Sequence, residues 1–457
     1  MTGMRRLILA ALPLLMLTQL LVRLPIDQPL RVGDTFRLDA LAGVMLIALL
    51  LGLAIAWGSL GQPLLQTTAA AVALALAYLA LPLPLLALGL AAAALSTAPR
   101  DLLRSIAPAL TLVAGLGFLS LRAGTWQLGD ATLAAALNSI SFGLILLAAV
   151  LGMGLLPFSA RGSASAIWSL LVRPAWLYPL ARLYEPGIWN VGWVLATACV
   201  GGVVALWAGW AAPWTSADLR PARIQAALLG GALASLGLTT EAGLAGGLVG
   251  VLAAVLAAGG LGVRRRHPLL WLVAGPVPLS LPFIALWLQI SAAAAGGFVI
   301  LAAALWLSGI GWAVAALRIL SAGPREHPGW TLPLLALLSL LAGIASPLVV
   351  RLLISPALAQ LGAGVTPYGR PVIWPWLGLE VRAAAGATAS SWLSLAVAGL
   401  LLLLSAIAYL LLRLLAFGQQ EGTAGSGEEA AAPAALWRLV RQSVPWLPPG
   451  EAENDDR

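Results

Sequence analysis

Arg173 lies in the middle of an apolar segment, SASAIWSLLVRPAWLYPLAR, where a charge is costly and therefore noteworthy. A guanidinium there could serve as a fixed positive charge beside an ion pathway. Two structural alternatives stay open: the side chain extends to a membrane surface, or it pairs with a carboxylate of a partner protein. Proton relay is not expected of it, because Arg stays charged whereas a buried Lys shifts its pKa. All 25 basic residues of the chain are Arg.

The acidic residues predict capping and turn pairs more readily than catalysis. Asp34 and Asp39 could form a catalytic pair of the kind found in lipid-linked glycosyltransferases. No further acidic or His residues converge on them in the sequence, so capping of a helix N-terminus is the expected role. Asp218 with Arg220 predicts a structural turn pair, and Glu241 is expected to cap a helix or contact lipid headgroups.

The sequence lacks the residues that metal or cofactor chemistry would need. Cys199 is the single cysteine, sits in an apolar run and is expected to pack in the core. His267 and His327 have no second ligand at metal-binding spacing. The sequence contains no P-loop, no dinucleotide-binding glycine motif and no nucleophile–base pair that can be assembled. We therefore predict no catalytic residue, no metal and no cofactor.

The composition places these residues in a polytopic membrane protein. Of the 457 residues, 61% are hydrophobic and 9% charged, against about 25% charged in soluble domains. At about 20 residues a span, the apolar runs predict an all-α protein of about 14 transmembrane helices. This transmembrane domain covers residues 1–417. Residues 418–457 are predicted to form a cytoplasmic tail with a flexible linker and a short amphipathic helix.

The distribution of charge indicates orientation and partners. The net charge is +8, but the Arg residues are scattered along the chain, which disfavours nucleic-acid binding. Loops rich in Arg predict that both termini face the cytoplasm of a bacterial inner membrane. The tail is expected to lie on the bilayer or on a partner subunit.

Proline residues interrupt three apolar runs and predict discontinuous helices in the membrane. Pro157 interrupts one apolar run, Pro174 interrupts the next, and Pro276 with Pro278 interrupts a third. Broken helices at membrane depth are tolerated where they are buried in protein or line a cavity. Downstream, 331–354 predicts one continuous span and 355–390 a long loop.

Five local motifs occur in an order that resembles a known family. They are similar to that family's F-x-LDGLS, GK-x-x-x-PFH, SALLH…LAR, DIKR and AGIPP motifs. The corresponding segments here are Phe36–Ala42, Gly152–Phe158, Ser165–Ser169 with Ala181–Arg182, Asp218–Arg220 and Ala274–Pro278. On these segments the chain resembles the antiporter-like proton-translocating membrane subunits of respiratory complex I, a family shared with Mrp-type antiporters and membrane-bound hydrogenases.

The resemblance implies an antiporter-like fold with two broken helices and a row of Glu, Lys and His residues that relay protons. In this chain every one of those relay positions is occupied by a neutral residue. They are Ala91, Met153, Ser169, Val251 and Ala285.

These substitutions favour a degenerate subunit without a proton path of its own. Such a subunit would act as a scaffold in a redox-driven complex of the NADH-quinone oxidoreductase or hydrogenase kind. Its expected partners are other membrane subunits and the lipid bilayer, and it would not be catalytic alone. The alternative is an independent transporter or channel for a neutral or lipidic substrate.

Overall fold

The structure of the protein is a computed structural model. It describes residues 3–26, 28–58, 63–98, 105–128, 130, 132–155, 165–187, 189–263, 267–321, 331–361, 370–373, 379–382 and 400–411. Pro157, His327 and the tail 418–457 lie outside these ranges. The chain forms two compact units, Met1–Leu404 and Ser405–Arg457.

The N-terminal part consists of apolar helices and one short hairpin. Leu83, which begins α4, follows Pro82, whose fixed backbone suits the start of a helix. Helix α1 packs on α2, α3 on α4, and α4 on α5. The elements are α1 Gly3–Val22, β1 Leu30–Val32, β2 Phe36–Leu38, α2 Ala40–Gly58, α3 Leu64–Leu79, α4 Leu83–Thr97 and α5 Ile106–Ala123.

The next part is the most interrupted stretch of the described chain. Helix α7 starts at a capping box in which the Asn138 side chain accepts the N–H groups of Ile140 and Ser141. After it, no helix of this part is longer than five residues. The elements are α6 Thr132–Ala136, α7 Ser139–Gly152, a π-helical turn Trp168–Val172, α8 Arg173–Ala175 and α9 Tyr178–Arg182.

The next part contains the longest helices of the described chain, and α12 among them is the most deeply buried. Helices α10 and α11 approach closely because both present glycine. A Cβ at Gly230 would lie 2.7 Å from the Ala205 nitrogen, and one at Gly201 would contact Ala234. The elements are α10 Val191–Ala211, a 3-10 turn Ala212–Trp214, α11 Arg220–Leu236, α12 Glu241–Gly262, α13 Leu269–Ala274, α14 Leu281–Ala295 and α15 Val299–Ser321.

The described C-terminal part is α-helical with one further hairpin. The predicted span 331–354 is not one straight helix, because the helix axis bends by 75° between Ile344 and Ser346, although the two halves together are long and apolar enough to cross a bilayer. Pro347 lies at the start of the second half and cannot continue the hydrogen-bond ladder. The predicted loop 355–390 instead begins as a helix and contains a hairpin. The elements are α16 Thr331–Ile344, α17 Ser346–Val349, a π-helical turn Val350–Ile354, α18 Ser355–Gln360, β3 Arg370–Ile373, β4 Leu379–Arg382 and α19 Leu400–Leu411.

Within the described residues, five helices are long and apolar enough to cross a bilayer. The bent pair α16 to α18 adds a sixth candidate, and six further apolar helices are shorter. Helix α12 is buried almost throughout, whereas 39% of the α5 span is buried. A helix that is apolar all round can lie in the centre of a bundle. Helix α12 therefore lies in the centre of the bundle, and α5 lies at its edge. The all-α membrane fold is confirmed, while the helix count of about 14 stays a prediction.

Candidate functional site in the broken helices

The first discontinuity begins where α7 ends. Met153 is fully buried and ends the helix, and Gly154 turns the chain with a φ of 60°. The Trp176 indole packs directly on Gly152, where any Cβ would overlap the ring. The α7 terminus is therefore fixed against the segment that follows the break.

That following segment is irregular along its whole length. The Arg173 N–H bonds to the Trp168 carbonyl, which makes a π-helical turn. Pro174 lies at the start of the three-residue helix α8, and Pro179 lies at the start of α9. Each proline removes one backbone donor, so the neighbouring carbonyl groups need other partners.

Arg173 itself donates to carbonyl groups of two other segments. Its side chain is 3% exposed. Its Nε donates to the Met153 carbonyl at 2.5 Å, and one terminal nitrogen donates to the Ala222 carbonyl at 3.1 Å and the Gln225 Oε1 at 2.9 Å. The guanidinium also lies 5.3 Å from the centre of the Trp168 ring. The alternative in which Arg173 extends to a membrane surface is wrong, because the Met153 carbonyl at the end of α7 and two groups of α11 bind it inside the protein.

Gln225 of α11 extends this set of contacts to the Ser169 position. Its Nε2 donates to the Ser169 carbonyl at 2.6 Å, while its Oε1 accepts from Arg173. Gln225 is 1% exposed, and Ser169 is partly exposed. One amide therefore connects α11 to the broken segment, and an amide does not titrate in the physiological range.

The second discontinuity separates α13 from α14, and Pro276 and Pro278 lie inside it. The Ser280 Oγ caps α14 by accepting the Phe283 N–H at 3.4 Å, and it donates to the Gly275 carbonyl at 3.3 Å. From α16, the Ser339 Oγ donates to the Leu272 carbonyl at 2.8 Å. Two hydroxyl groups thus satisfy backbone groups that the break leaves unpaired, which is how broken helices persist in membranes.

The three remaining relay positions sit in regular helices. Val251 on α12 and Ala285 on α14 are buried, and Ala91 on α4 is partly exposed. One turn after Ala285, Gln289 donates to the Gly246 carbonyl at 3.2 Å. Helix α12 contacts both α14 and the π-helical turn Trp168–Val172. The polar contact next to Ala285 is therefore an uncharged amide.

Charge is concentrated instead in a network at the start of α2. Arg182 of α9 binds the Asp39 carboxylate with two nitrogens, at 2.6 and 2.9 Å. Arg37 lies 2.9 Å from the same carboxylate, and Glu185 pairs with both arginines. The Tyr178 hydroxyl accepts the Arg182 Nε at 2.8 Å. Two arginines and two carboxylates give this ion-pair network no net charge.

Asp39 also caps α2, since its Oδ1 accepts the Ala42 N–H at 2.8 Å. Burial tends to raise the pKa of this carboxyl. The charge and hydrogen bonds of Arg182, then Arg37 and the Ala42 N–H, outweigh burial and hold the pKa below its usual range. Asp39 is thus an ionised structural anchor between α2 and α9.

Chains of several solved membrane complexes resemble this chain. A chain of the Mrp complex from Dietzia sp. DQ12-45-1b gives a TM-score of 0.68 at 17% identity, over 95% of this chain and 56% of that chain. A chain of the membrane-bound sulfane sulfur reductase, an archaeal respiratory membrane complex, gives 0.67 at 18% identity, over 90% and 81%. A chain of respiratory complex I from Thermus thermophilus gives 0.63 at 19% identity, over 78% and 93%. This chain thus spans little more than half of the Mrp chain.

The chain has the fold of an antiporter-like membrane subunit. No family model and no curated protein matches the sequence. The likeness to subunits of three multi-subunit membrane complexes fits the family that the five motifs resemble. At these identities the likeness establishes the antiporter-like fold and leaves activity to be argued from the residues.

The antiporter-like fold brings some predicted residues together and separates others. Asp34 is exposed in the hairpin turn, while Asp39 is held by arginines, so the two acids do not form a catalytic pair. The predicted Asp218–Arg220 pair is wrong. Arg220 donates to the Ala212 and Thr215 carbonyls instead, at 3.3 and 3.0 Å.

Two further predictions change with the structure. Thr240 caps α12, and Glu241 occupies the first turn after it. Cys199 is exposed on α10 and does not pack in the core.

Sequence reasoning missed the roles of Arg182, Glu185, Gln225 and Gln289. Asp39 and Arg182 both lie in recognised motifs, but they are 143 positions apart. Two signals were available in the sequence. Asp39 and Arg182 are opposite charges that each lie next to an apolar run, and Gln225 is a polar residue inside an apolar run.

Proposed function

We propose that this antiporter-like subunit is a structural member of a larger redox-driven membrane complex and has no proton path of its own. The observation that carries the proposal is the neutrality of every relay position in a fold that keeps both helix breaks. Met153, Val251 and Ala285 are buried in the bundle without a titratable group. Ser169 offers a neutral hydroxyl and Ala91 a methyl group.

Proton relay needs a group that gains and loses a proton near the working pH. Among the described residues, the polar side chains bonded beside the breaks include Arg173, Gln225, Gln289 and serine hydroxyls, and none of these groups titrates near the working pH. Arg173 donates to backbone carbonyl groups, as a structural cation would. The titratable carboxylates of the ion-pair network are bound by arginines at the start of α2, where they join α2 to α9.

The proposed partner subunits are inferred from the complexes that contain chains of similar fold. The matched chains are named as parts of an Mrp complex, a sulfane sulfur reductase complex and respiratory complex I. An analogous subunit here would contact other membrane subunits through its exposed apolar helices and through the tail 418–457. We place it in a bacterial cytoplasmic membrane, with both termini in the cytoplasm.

Purification of the native protein tests the subunit assignment. An affinity tag on this chain should recover redox subunits in fixed proportion after solubilisation in mild detergent. Recovery as a monomer or a small homo-oligomer, with no redox subunit, would contradict the assignment. That result would favour an independent transporter or channel for a neutral or lipidic substrate.

Proton pumping by the reconstituted complex tests whether this subunit lacks a proton path. Gln225→Met and Gln289→Met remove the two amides that could organise water near the breaks. We expect assembled complexes with either change to move the same number of protons per electron pair as the wild type. Arg122→Gln, at an exposed arginine in the last turn of α5, is the matched control. A loss of pumping in the Gln225 or Gln289 variant, with electron transfer intact, would refute the proposal.

A further inference from the structure

Three arginines gather around the turn between α10 and α11. Arg220 binds the Ala212 and Thr215 carbonyls of this turn, and Arg318 of α15 binds the Pro213 carbonyl at 2.6 Å. Their positive charges repel each other. Arg223 lies one turn along α11 from Arg220. We call Arg220, Arg223 and Arg318 the arginine patch.

Arg223 differs from the other two in its contacts. Its guanidinium stacks over the Trp207 ring at 3.9 Å, and its buried Nε has no hydrogen-bond partner. A buried donor without a partner costs about 1–3 kcal/mol. Such a group beside two further cations marks a place where an anion would be stabilised.

The surroundings of the patch indicate a lipid as the source of that anion. Val203, Trp207, Trp210 and Trp214 recur at helical spacing, so they share one face of α10 and its terminal turn. Val203 is 67% exposed and Trp210 is 56% exposed. Helix α10 is a candidate span, so this apolar face meets the bilayer, and its tryptophans suit the headgroup level.

We propose that the arginine patch binds the phosphate group of an anionic phospholipid. The phosphate accepts hydrogen bonds from Arg223, and Arg220 and Arg318 contribute charge. An acyl chain runs along the exposed face of α10, past Val203 toward Cys199. This site does not depend on whether the subunit carries protons.

The single cysteine makes the site measurable. Cys199 is exposed and lies about 12 Å along α10 from Trp207, at 1.5 Å a residue. We would label Cys199 of the full chain with a fluorophore and place it in nanodiscs of phosphatidylcholine. Brominated phosphatidylglycerol or brominated phosphatidylcholine is then added as the quencher. The site predicts stronger quenching by the glycerol lipid, and a weaker preference at high salt.

Arginine variants decide whether the patch causes that preference. Arg223→Gln should reduce it about 5-fold, because a basic residue near an anionic surface contributes about 1 kcal/mol. Arg223→Lys keeps the charge and should retain part of the preference. Arg122→Gln, at the exposed arginine of α5, should leave it unchanged. Equal quenching by both lipids, or the wild-type preference in Arg223→Gln, would overturn the proposal.

A separate arm distinguishes a lipid from a soluble phosphate. Inorganic phosphate at millimolar concentration should not displace brominated phosphatidylglycerol from the wild type at constant ionic strength. Full displacement, together with thermal protection by phosphate in discs of phosphatidylcholine alone, would assign the patch to a soluble anion and would contradict the lipid site.

Discussion

Two broken segments of the described chain differ in charge. The segment Trp168–Glu185 carries Arg173, Arg182 and Glu185, and all three are bonded within the protein. The segment Leu269–Ala295 carries no Asp, Glu, Lys, Arg or His, and serine hydroxyls satisfy its break. A helix break in this fold therefore persists with or without charge. The charges of the first segment act through their contacts with carbonyls and carboxylates.

The largest effect is expected from Arg182→Met in the charged segment. The change leaves the Asp39 carboxylate with less compensation in a buried site, and breaking a buried pair costs about 3–5 kcal/mol. Unfolding in detergent micelles measures the loss of stability. Arg122→Met, at an exposed site in the last turn of α5, is the control and should change stability little. Equal stability of the two variants would show that the network does not anchor α9.

Arg173→Met should have the next largest effect. The variant keeps the apolar part of the side chain but leaves the buried Met153 carbonyl without the Arg173 donor, which costs about 1–3 kcal/mol. Thermal unfolding and protease sensitivity near the first break check this. Arg173→Lys should recover part of the loss. A stable Arg173→Met protein would mean that the cation has no structural role.

Ser339→Ala tests the uncharged segment and should cost about 1 kcal/mol, the net contribution of one neutral hydrogen bond. The change removes the donor to the Leu272 carbonyl. Hydrogen exchange at the start of α14 should quicken, with little change elsewhere. If Ser339→Ala cost as much as Arg182→Met, the two segments would not differ as described.

Lowering the pH should destabilise the charged segment and leave the uncharged one unaffected. Of the effects predicted here, this one is the smallest near neutral pH. Folding lowers the pKa of Asp39 below its ordinary value of 3.8. The ionised carboxylate therefore contributes fully to the free energy of unfolding when the pH is above that ordinary value. That contribution is lost as the pH falls further, through the folded pKa. Unfolding curves at pH 7, 5 and 3 should show this loss, and Asp39→Asn should reduce the dependence. An unchanged dependence in Asp39→Asn would assign acid sensitivity to other groups.

Apolar runs and prolines predicted most helix positions. The run 41–57 corresponds to α2 at Ala40–Gly58, and Pro276 and Pro278 lie in the gap between α13 and α14. Runs this apolar do not show which face is buried, because lipid-facing and core-facing positions have the same chemistry. That is why Cys199 was placed in the core and is exposed.

The side-chain contacts of the site could not be predicted from sequence. Pairing between Asp39 and Arg182 depends on how α2 and α9 pack, and no local pattern encodes that packing. The capture of Arg173 by carbonyl groups depends on the π-helical turn, which single-residue propensities do not predict. The neutral relay positions stay a prediction from the family resemblance. Met153 and Ser169 lie inside the resembling motifs, whereas Ala91, Val251 and Ala285 lie outside them.

Proton pumping by complexes that contain Arg173→Gln tests the central claim most directly. Arg173 is the buried charge that donates to the Met153 carbonyl at the first break, and its contacts are those of a structural cation. Protons moved per electron pair should equal the wild-type value in the fraction that assembles, as they should in the Arg122→Gln control. Normal electron transfer with lost pumping in Arg173→Gln alone would contradict the account and would place a proton path through this subunit.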